Sequence, residues 1–336
     1  MKKFRRILGC IILSLIVQCG VLLYLDKVLF KTSKEVKVVN VEVPTQSFDI
    51  DLEIPSDAEN IQVSYSGKFI TYFKDNKLML VNTKTSEVKE ILSETKILDI
   101  SWVPDNNTLF IVENKDNKIN IKTYNANNEV EQDVVEVCDY TKGIEVSSYL
   151  SSSSEYISLY NGKSTKIYRI DIDKNTKKLN KNIEKIESAG ASWQNEVFVY
   201  EDSENKRFYA YSNGKDKKLS LKNSDNLTIL KVVENTVYMG QYSNDNKISK
   251  IVYGEVESDS NAWKTIELKE PKEVKDIYVS DNNEVFINYS SAGKIDNITK
   301  GETLTYQGEF LTINNRVICS LDNRKVCLKS VKDVSK

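Results

Sequence analysis

Hydrophobic residues in this chain form short runs separated by turns rich in Gly, Asn, Asp and Ser. The clearest example is ILDISWVPDNNTLFIV at residues 97–112, where a strand-like segment ends at Ser101-Trp102, a polar turn follows and a second apolar run begins. The same frame recurs, with copies anchored at Ser64, Ser101, Ser148, Ser192, Val232, Ile277 and Thr312. The copies are spaced by roughly 35 to 47 residues, and repeats of about 40–45 residues with short strands are typical of propeller blades. The pattern therefore predicts an all-β, seven-bladed β-propeller.

Each copy carries further strand and turn signals. An apolar second strand is predicted at 69–73, 109–112, 197–200 and 285–287, and a third at 78–81, 119–124, 167–172, 208–211 and 251–253. The turn between them is often Lys-Asp-Asn-Lys or a close variant, because Asp and Asn tolerate left-handed backbone and satisfy nearby backbone groups. More polar fourth strands are predicted at 88–92, 130–137, 179–186 and 263–268. Weak patterning is expected there because the outermost strand of a blade faces water.

The seventh copy is too short for four strands, since it starts at Thr312 and the chain ends at Lys336. A ring with an incomplete last blade would leave sheet edges unpaired. Residues 48–54, FDIDLEI, alternate strictly between apolar and acidic positions and form a spare strand before the first copy. We therefore expect this N-terminal strand to pair with residues 326–331 and close the ring. The alternative, seven stacked hairpins in an open sheet, would leave edges exposed.

The N-terminus has the features of a membrane anchor. Residues 1–6, MKKFRR, form a basic cluster, and residues 7–25 follow without a charged side chain. As a helix this run would be about 28 Å long, close to the thickness of the hydrocarbon core of a bilayer. The positive-inside rule places the basic cluster in the cytoplasm. We therefore predict a cytoplasmic tail at 1–6, a single transmembrane α-helix at 7–25, a stalk at 26–47 and an extracellular propeller at 48–336.

Two alternatives to an uncleaved anchor agree less well with the N-terminal sequence. A cleaved signal peptide is disfavoured because the apolar run is longer than an h-region of about 7–15 residues and no small-residue cleavage site follows it. A lipoprotein is disfavoured because Gln18 precedes Cys19, where a small residue is needed, and almost no apolar run precedes Cys10. The signal-anchor interpretation therefore stands.

Charge and composition exclude several classes of function. The chain has 47 basic and 49 acidic residues, and beyond residue 6 it carries about six more acidic than basic side chains. A mildly acidic domain without a basic stripe is a poor nucleic-acid binder, because that affinity depends on neutralising phosphates. The chain has no histidine, which excludes Ser-His-Asp and Cys-His catalysis and every His-ligated metal site.

Five cysteines do not make a disulfide scaffold. Cys10 and Cys19 lie in the apolar run and Cys138 stands alone. Cys319 and Cys327 flank a predicted turn at residues 322–324, and a three-residue loop would place them opposite each other. A strained cross-strand disulfide and two reduced thiols are both compatible with this spacing, and reduced thiols are favoured.

The repeated sequence pattern, with its strand, polar turn and second apolar strand, resembles the blade motif of TolB-type and dipeptidyl-peptidase-IV-type propellers. Ser101-Trp102-Val103-Pro104-Asp105 matches it best, and residues 64–69 come next, although Asn106 stands where the family usually has glycine. The resemblance covers roughly residues 48–331 and implies a rigid, WD40-like ring that presents its faces to a partner. Peptidase members carry an α/β-hydrolase domain. This chain lacks the length for one, a G-x-S-x-G elbow and any histidine, so the resemblance does not imply peptidase activity.

Two local patterns are candidates for binding. Five aromatic residues occupy equivalent places in five copies and could stack on glycans or peptides, while wedging between blades is the structural alternative: Tyr65, Trp102, Tyr149, Trp193 and Tyr278. Residues 171–175, DIDKN, resemble the start of a calcium loop but lack its later glycine and glutamate, which favours a polar turn. No catalytic, cofactor-binding or metal-binding residue is predicted.

We therefore expect a non-catalytic binding or scaffold module at the cell surface, anchored in the plasma membrane through residues 7–25 and bound to a protein or envelope partner. The composition, rich in Lys, Asn and Ile, favours a Gram-positive-like bacterium. One alternative is a hydrolase or lactonase-like propeller enzyme that uses carboxylates or calcium in the central channel. Another is the sensor subunit of a membrane signalling complex, which would need a partner helix because the tail is so short.

Overall fold

The computed structural model describes Gln18 and residues 48–93, 95–221 and 226–331. From Phe48 onward these residues belong to one unit that runs from Val43 to Lys336. They form seven antiparallel sheets of four strands each, which confirms the predicted all-β, seven-bladed propeller. Within the described residues, no helix is both long and apolar enough to cross a bilayer. The predicted transmembrane segment at 7–25 lies outside them except for Gln18, so it stays a prediction.

Each blade is a meander that starts at the centre of the ring and ends at its rim. Blades one to three contain β2 (Glu59–Val63), β3 (Phe69–Lys74), β4 (Lys77–Asn82), β5 (Glu87–Ile91), β6 (Lys96–Trp102), β7 (Thr108–Lys115), β8 (Lys118–Asn125), β9 (Val130–Asp139), β10 (Glu145–Leu150), β11 (Ser154–Tyr160), β12 (Thr165–Asp171) and β13 (Thr176–Ile183). Blades four and five contain β14 (Ile186–Ala191), β15 (Val197–Asp202), β16 (Arg207–Ser212), β17 (Lys215–Lys218), β18 (Leu227–Val233), β19 (Thr236–Tyr242), β20 (Ile248–Glu255) and β21 (Lys264–Lys272).

Blades six and seven complete the ring. They contain β22 (Ile277–Val279), β23 (Val285–Tyr289), β24 (Lys294–Asn297), β25 (Glu302–Thr305), β26 (Glu309–Ile313), β27 (Val317–Asp322), β28 (Lys325–Ser330) and, from the start of the domain, β1 (Phe48–Glu53). Short 3₁₀ turns lie at Ser260–Ala262, Val274–Asp276 and Ser290–Ala292. The strand order of the seventh sheet is β1-β28-β27-β26.

Burial depends on the position of a strand within its blade. Second strands are covered on both faces, and all six residues of β15 are buried. Third strands such as β4 are buried mainly at alternate positions, whereas all four residues of the outermost strand β17 are exposed. This gradient explains why the second strands have continuous apolar sequences, since a strand covered on both faces needs no polar side.

The apolar core is divided into seven clusters, and each one lies between two neighbouring blades. Between blades one and two, for example, Leu78 and Leu80 pack with Leu109 and Ile111. Between blades seven and one, Leu52 and Ile54 join a cluster with side chains of β3, β4, β27 and β28. Every blade therefore buries apolar surface against both of its neighbours.

The pairing of the N-terminal strand matches the expected geometry. β1 runs antiparallel to β28, with Phe48 opposite Leu328 and Glu53 opposite Lys325. Past the strand, the Ile54 amide donates to the Arg324 carbonyl at 3.0 Å, and Arg324 Nε donates back to the Ile54 carbonyl at 2.6 Å. Residues 48–54 and 326–331 are thus neighbours. That this pairing is what keeps the ring closed stays a prediction.

Two details of the sequence analysis were wrong. The fourth strand of blade three was predicted at residues 179–186, but it spans Thr176–Ile183, and Ile186 already begins the next blade. The connection between these blades is only Glu184-Lys185, and the alternation of aliphatic and polar residues at 179–186 continues through it from one strand into the next. The sequence alone offers no turn residue that would separate them.

The second error concerns the cysteine pair. The loop between β27 and β28 has two residues, because Asp322 pairs with Lys325, and its Asn323 and Arg324 have φ of 47° and 69°. Cys319 therefore pairs with Leu328, and Cys327 pairs with Ser320. A shift of one residue places the two thiols on opposite faces of the sheet, and no disulfide joins them.

A substitution in β1 tests its contribution to stability. Leu52 is 5% exposed in the cluster between blades seven and one, so Leu52→Ala should lower the free energy of unfolding by about 2–4 kcal/mol. Glu53→Ala, at the exposed neighbouring position, should change it by less than about 0.5 kcal/mol. Urea unfolding of the full chain, followed by tryptophan fluorescence, measures both. Equal effects would mean that β1 contributes little to closure.

Candidate binding face

The first turn of every blade, between its first and second strands, lies on one side of the ring because the blades share one topology. We call this side the AB face. Its turns comprise residues 64–68, 103–107, 151–153, 192–196, 234–235, 280–284 and 314–316. The five aromatic residues proposed from the sequence all lie at this end of a first strand or in the turn that follows it.

The turns of the AB face are joined by hydrogen bonds between neighbouring blades. The donor and acceptor pairs are Asn314 Nδ2 to the Tyr65 carbonyl at 3.3 Å, Ser66 Oγ to Asn107 Oδ1 at 2.8 Å, the Ser152 amide to the Trp193 carbonyl at 2.9 Å, Asn195 Nδ2 to Asn235 Oδ1 at 3.1 Å, Tyr238 Oη to Asn283 Oδ1 at 3.0 Å and the Asp281 amide to Asn315 Oδ1 at 3.2 Å. These bonds connect six of the seven pairs of neighbouring blades, so most of the face is ordered before a partner binds.

Asp281, of blade six, connects three other blades on the AB face. Gln194 Nε2, from blade four, donates to the Asp281 carbonyl at 3.2 Å. Lys231 Nζ, from blade five, lies 3.3 Å from Asp281 Oδ1, and Asn315 Nδ2, from blade seven, donates to Oδ2 at 3.2 Å. A cavity of about 100 Å³ is lined by Lys231, Tyr278, Asp281 and Asn315, among others. This volume holds a few water molecules rather than a larger ligand.

Two of the five aromatic side chains pack against an aromatic ring of a neighbouring blade. Trp102 stacks on Phe69 of blade one with ring centroids 6.4 Å apart, and its indole nitrogen donates to Thr71 Oγ1 at 3.2 Å. Tyr149 packs against Phe198 of blade four at 5.3 Å. Both residues therefore have the inter-blade packing role that was the structural alternative.

Two further aromatics also contact a neighbouring blade. Tyr278 meets Phe310 of blade seven edge to face at 5.2 Å, and burial raises the pKa of Tyr278 to about 12. The guanidinium of Arg316, from blade seven, lies 4.3 Å from the centre of the Tyr65 ring, a cation–π arrangement. The proposed ligand-binding role of these residues is not tested by their packing and stays a prediction.

Trp193 differs from the other four. It is half-buried, and its carbonyl accepts the hydrogen bond from Ser152. Its indole is not part of the aromatic pairs that the described residues form. Gln194, beside it, is exposed and reaches across to Asp281. Of the five residues, Trp193 is therefore the best placed to contact a ligand.

Charged side chains also connect blades three and four at the AB face. Arg169 forms an ion pair with Glu196 of the next blade and lies 3.8 Å from Asp171. Ser154 Oγ also donates to Glu196 Oε1, at 3.5 Å. This network ties the first turn of blade four to blade three.

Glu155 belongs to the sheet of blade three, but its side chain is on the opposite side of that sheet from Arg169. It pairs with Leu150 and Ile170, and so its carboxyl shares a face with apolar side chains. Burial raises the pKa of Glu155 to about 7, with a smaller contribution from the negative charge of Asp171. A carboxyl that stays protonated close to neutral pH marks either a functional group or a desolvated structural one.

Inner strands are also linked across blades. Asp99, on β6, accepts hydrogen bonds from the Ser148 amide at 2.7 Å and from Ser148 Oγ at 2.6 Å, and Ser101 Oγ lies 3.1 Å from Ser148 Oγ. Burial raises the pKa of Asp99, although these hydrogen bonds oppose the rise. The group therefore joins the first strands of blades two and three.

The segment that resembles a calcium loop forms a polar turn. Asp171 Oδ1 accepts the amides of Asp173 at 3.0 Å and Asn175 at 2.9 Å, and Oδ2 accepts Asn175 Nδ2 at 3.2 Å. These bonds, mainly those from Asn175, hold the pKa of Asp171 below its ordinary value. The carboxylate is used by its own turn. In the part of the chain that the structure describes, no group of three or more Cys, Asp or Glu side chains is placed to hold a metal ion.

The inter-blade hydrogen bonds have a signal in the sequence, although the sequence alone does not reveal its meaning. An asparagine stands one or two positions before the second strand in five blades: Asn107, Asn195, Asn235, Asn283 and Asn315. In the sequence these residues are indistinguishable from ordinary turn formers. Each of them bonds to a residue of an adjacent blade, which only the assembled ring can show.

Comparison with known proteins supports the fold. No model of a known protein family matches the chain, and no curated protein matches it in sequence. Among solved structures it is similar to Hsv2p of Kluyveromyces lactis, with 9% identity, a TM-score of 0.50 and coverage of 82% of this chain and 97% of that one. A form of KlHsv2 with loop 6CD replaced by a Gly-Ser linker gives 10% identity, a TM-score of 0.51 and coverage of 82% and 97%. The AfRom2 CNH domain gives 9%, 0.49, and 84% and 97%.

Identities this low establish the fold alone. The chain has the fold of a seven-bladed β-propeller.

Glu155 generates a prediction about pH. Because its folded pKa of about 7 lies above the ordinary value of 4.5, the folded state binds more protons between these limits, and stability falls as pH rises from about 4.5 to 7. Glu155→Gln mimics the neutral carboxyl and should raise the free energy of unfolding at pH 8 by on the order of 2 kcal/mol, with little effect at pH 4.5. Urea unfolding across this range measures both. The exposed Glu145→Gln is the control, and an equal gain there would contradict the assignment.

Proposed function

We propose that this protein is a non-catalytic binding module, held at the outer surface of the plasma membrane by residues 7–25, and that its AB face binds a protein or cell-envelope partner. The observation that carries the proposal is the series of hydrogen bonds between the turns of neighbouring blades. A surface ordered before binding loses little conformational entropy when a partner docks. Loops positioned by a rigid scaffold are the usual location of binding residues.

The chemistry of the face fits a polar macromolecular partner. Its turns are rich in Asn and Ser, which both donate and accept hydrogen bonds. Trp193 lies among them, with its indole outside the inter-blade aromatic pairs of the described residues. Tryptophan is among the residues that contribute most to binding energy at protein interfaces. The motif at residues 101–105 resembles TolB-type propellers and agrees with an envelope location in a bacterium.

Substitutions at two tryptophans distinguish an effect on partner binding from an effect on the stability of the fold. Trp193→Ala should weaken binding of a partner by about thirtyfold or more with little change in the unfolding midpoint. Trp102→Ala should destabilise the fold by about 3 kcal/mol, because Trp102 stacks on Phe69 and bonds to Thr71. Affinity can be measured by surface plasmon resonance against the partner recovered from solubilised membranes, and stability by urea unfolding. Unchanged binding by Trp193→Ala would remove Trp193 from the interface.

The anchor is tested separately. The full chain should stay with membranes after alkaline carbonate extraction, since an apolar run of this length inserts stably, and removal of residues 2–25 should release it. Protease added to intact cells should degrade the propeller. Release of the full chain by carbonate, or protection from external protease, would contradict a membrane-anchored, extracellular location.

A further inference from the structure

A cavity of about 470 Å³ lies between blades six and seven. The blade six side contributes Ala292, Thr305 and Tyr306 to its lining, and blade seven contributes Ser320, Cys327 and Lys329, among others. Sites for small molecules usually have volumes of roughly 300–1,000 Å³. The cavity is therefore large enough for a small organic molecule.

The cavity arises where short strands face longer ones. β24 and β25 of blade six have four residues each, whereas β27 and β28 of blade seven have six each. Ile318 of β27 packs in the apolar cluster between the two blades. Ser320 is two residues further along the strand, and so it is on the same face, where it lines the cavity. The shorter sheet thus leaves part of the β27–β28 surface without a strand to cover it.

Ser320 is a buried polar residue whose hydroxyl is not used by the fold. The residue is only 2% exposed. In the hydrogen bonds that the described residues make, its Oγ has no partner. The buried Ser64, by contrast, uses its Oγ to accept the Phe69 amide at 3.1 Å. A buried hydroxyl without a partner is unfavourable, and a molecule in the cavity that donates or accepts a hydrogen bond would remove this cost.

Cys327 adds a nucleophile to the same cavity. It is half-buried, and its Sγ lies 3.8 Å from the Lys325 carbonyl. Cys327 pairs with Ser320 across the two strands. Directly opposite residues of antiparallel strands have their Cβ atoms about 4.5–5.5 Å apart on one face of the sheet. The thiol and the hydroxyl are therefore neighbours on the surface that lines the cavity.

The other two described cysteines lack such a site. Cys319 lies on the opposite face of the sheet, in the cluster between blades seven and one, and burial raises its pKa to about 12. Cys138 packs against the cluster between blades two and three, and burial raises its pKa as well. Because the thiolate is the nucleophile, both thiols should react slowly.

The walls of the cavity are held in place by hydrogen bonds. The Tyr306 amide donates to the Gly293 carbonyl at 2.9 Å, and Tyr306 Oη donates to Asn288 Oδ1 at 2.8 Å. Lys329 Nζ, from blade seven, donates to the Thr305 carbonyl at 2.9 Å and so joins the two blades beside the cavity. A small molecule would therefore enter a site that is already formed.

We propose that this cavity binds a small disulfide and that Cys327 exchanges with it, which attaches a low-molecular-weight thiol to the protein. The Cys327 thiol releases its proton to solvent, and its sulfur forms a bond to one sulfur of the bound disulfide. The original S–S bond breaks, and the other half leaves as a thiolate that takes up a proton. Cys327 is oxidised and the small disulfide is reduced, so no further oxidant is needed. The attached half occupies the cavity beside the Ser320 hydroxyl. This site is separate from the AB face, and the inference goes beyond the proposed binding function.

The test treats the purified full chain with bis(2-hydroxyethyl) disulfide, a small neutral probe, and follows each cysteine by peptide mass spectrometry. The rate of mixed-disulfide formation at Cys327 should saturate as the probe concentration rises, because the probe binds before it reacts. It should exceed the rate at Cys138 by at least about tenfold. In concentrated urea the two cysteines should react at similar rates, since the cavity is then lost.

Substitutions separate binding in the cavity from simple exposure of the thiol. Ala292 is exposed at the end of a 3₁₀ turn beside the cavity, and Ala292→Phe should obstruct it and slow Cys327 at least about tenfold. Ala262→Phe, at the end of another 3₁₀ turn, is the matched control and should have no effect. Ser320→Ala should raise the half-saturating probe concentration by about threefold to tenfold. It should not change the reaction of Cys327 with iodoacetamide, which reports exposure of the thiol.

Two results would overturn the proposal. One is the absence of a mixed disulfide at Cys327. The other is a Cys327 rate that rises linearly with probe concentration and is the same in Ala292→Phe, which would show only an accessible thiol. Equal unfolding midpoints of the variants serve as the folding control. If a variant is destabilised, the kinetics of the wild-type chain still decide, because saturation requires no substitution.

Discussion

The structure depends on one constraint: each sheet of this protein is apolar on both faces. β15 is buried at every position, and the other second strands are nearly as enclosed. A sheet of this kind is stable only when another sheet covers each side, because exposed aliphatic surface costs roughly 25 cal/mol per Å². The chain meets this requirement seven times, with one apolar cluster between each pair of neighbours. A circle is the arrangement in which no sheet lacks a neighbour.

The contact between blades seven and one has a distinct composition. Part of its apolar cluster comes from Leu52 and Ile54, which are far in sequence from the β27 and β28 residues that they cover. The first and last described strands of the propeller therefore share a sheet. Contacts of such large sequence separation form late and slowly in folding, because the loop-closure entropy must be overcome first.

Packing between blades also determines what the AB face can do. Once adjacent blades are fixed by clusters such as the one around Leu109, their first turns are close enough to exchange hydrogen bonds. Asn107, Asn195 and Asn315 then act as links between blades and not only as turn formers. Four of the five aromatics of the predicted set take part in the same packing. Trp193 differs because its backbone carbonyl accepts the hydrogen bond from blade three. The aromatic pattern in the sequence therefore marks contacts between blades at four of its five positions.

The sequence by itself determined the number of blades, the strand order within them and the spare strand at residues 48–54. These properties are encoded locally, in the alternation of apolar and polar side chains and in turn residues with suitable dihedrals. It could not place the boundary between β13 and β14, where one alternating stretch continues from strand to strand, nor the register of Cys319, which a single residue of turn length decides. Only the tertiary structure assigned Asp281, Gln194 and Asn315 to one cluster. These groups lie in different blades, and a pattern read along the chain carries no information on which side chains the closed ring brings together.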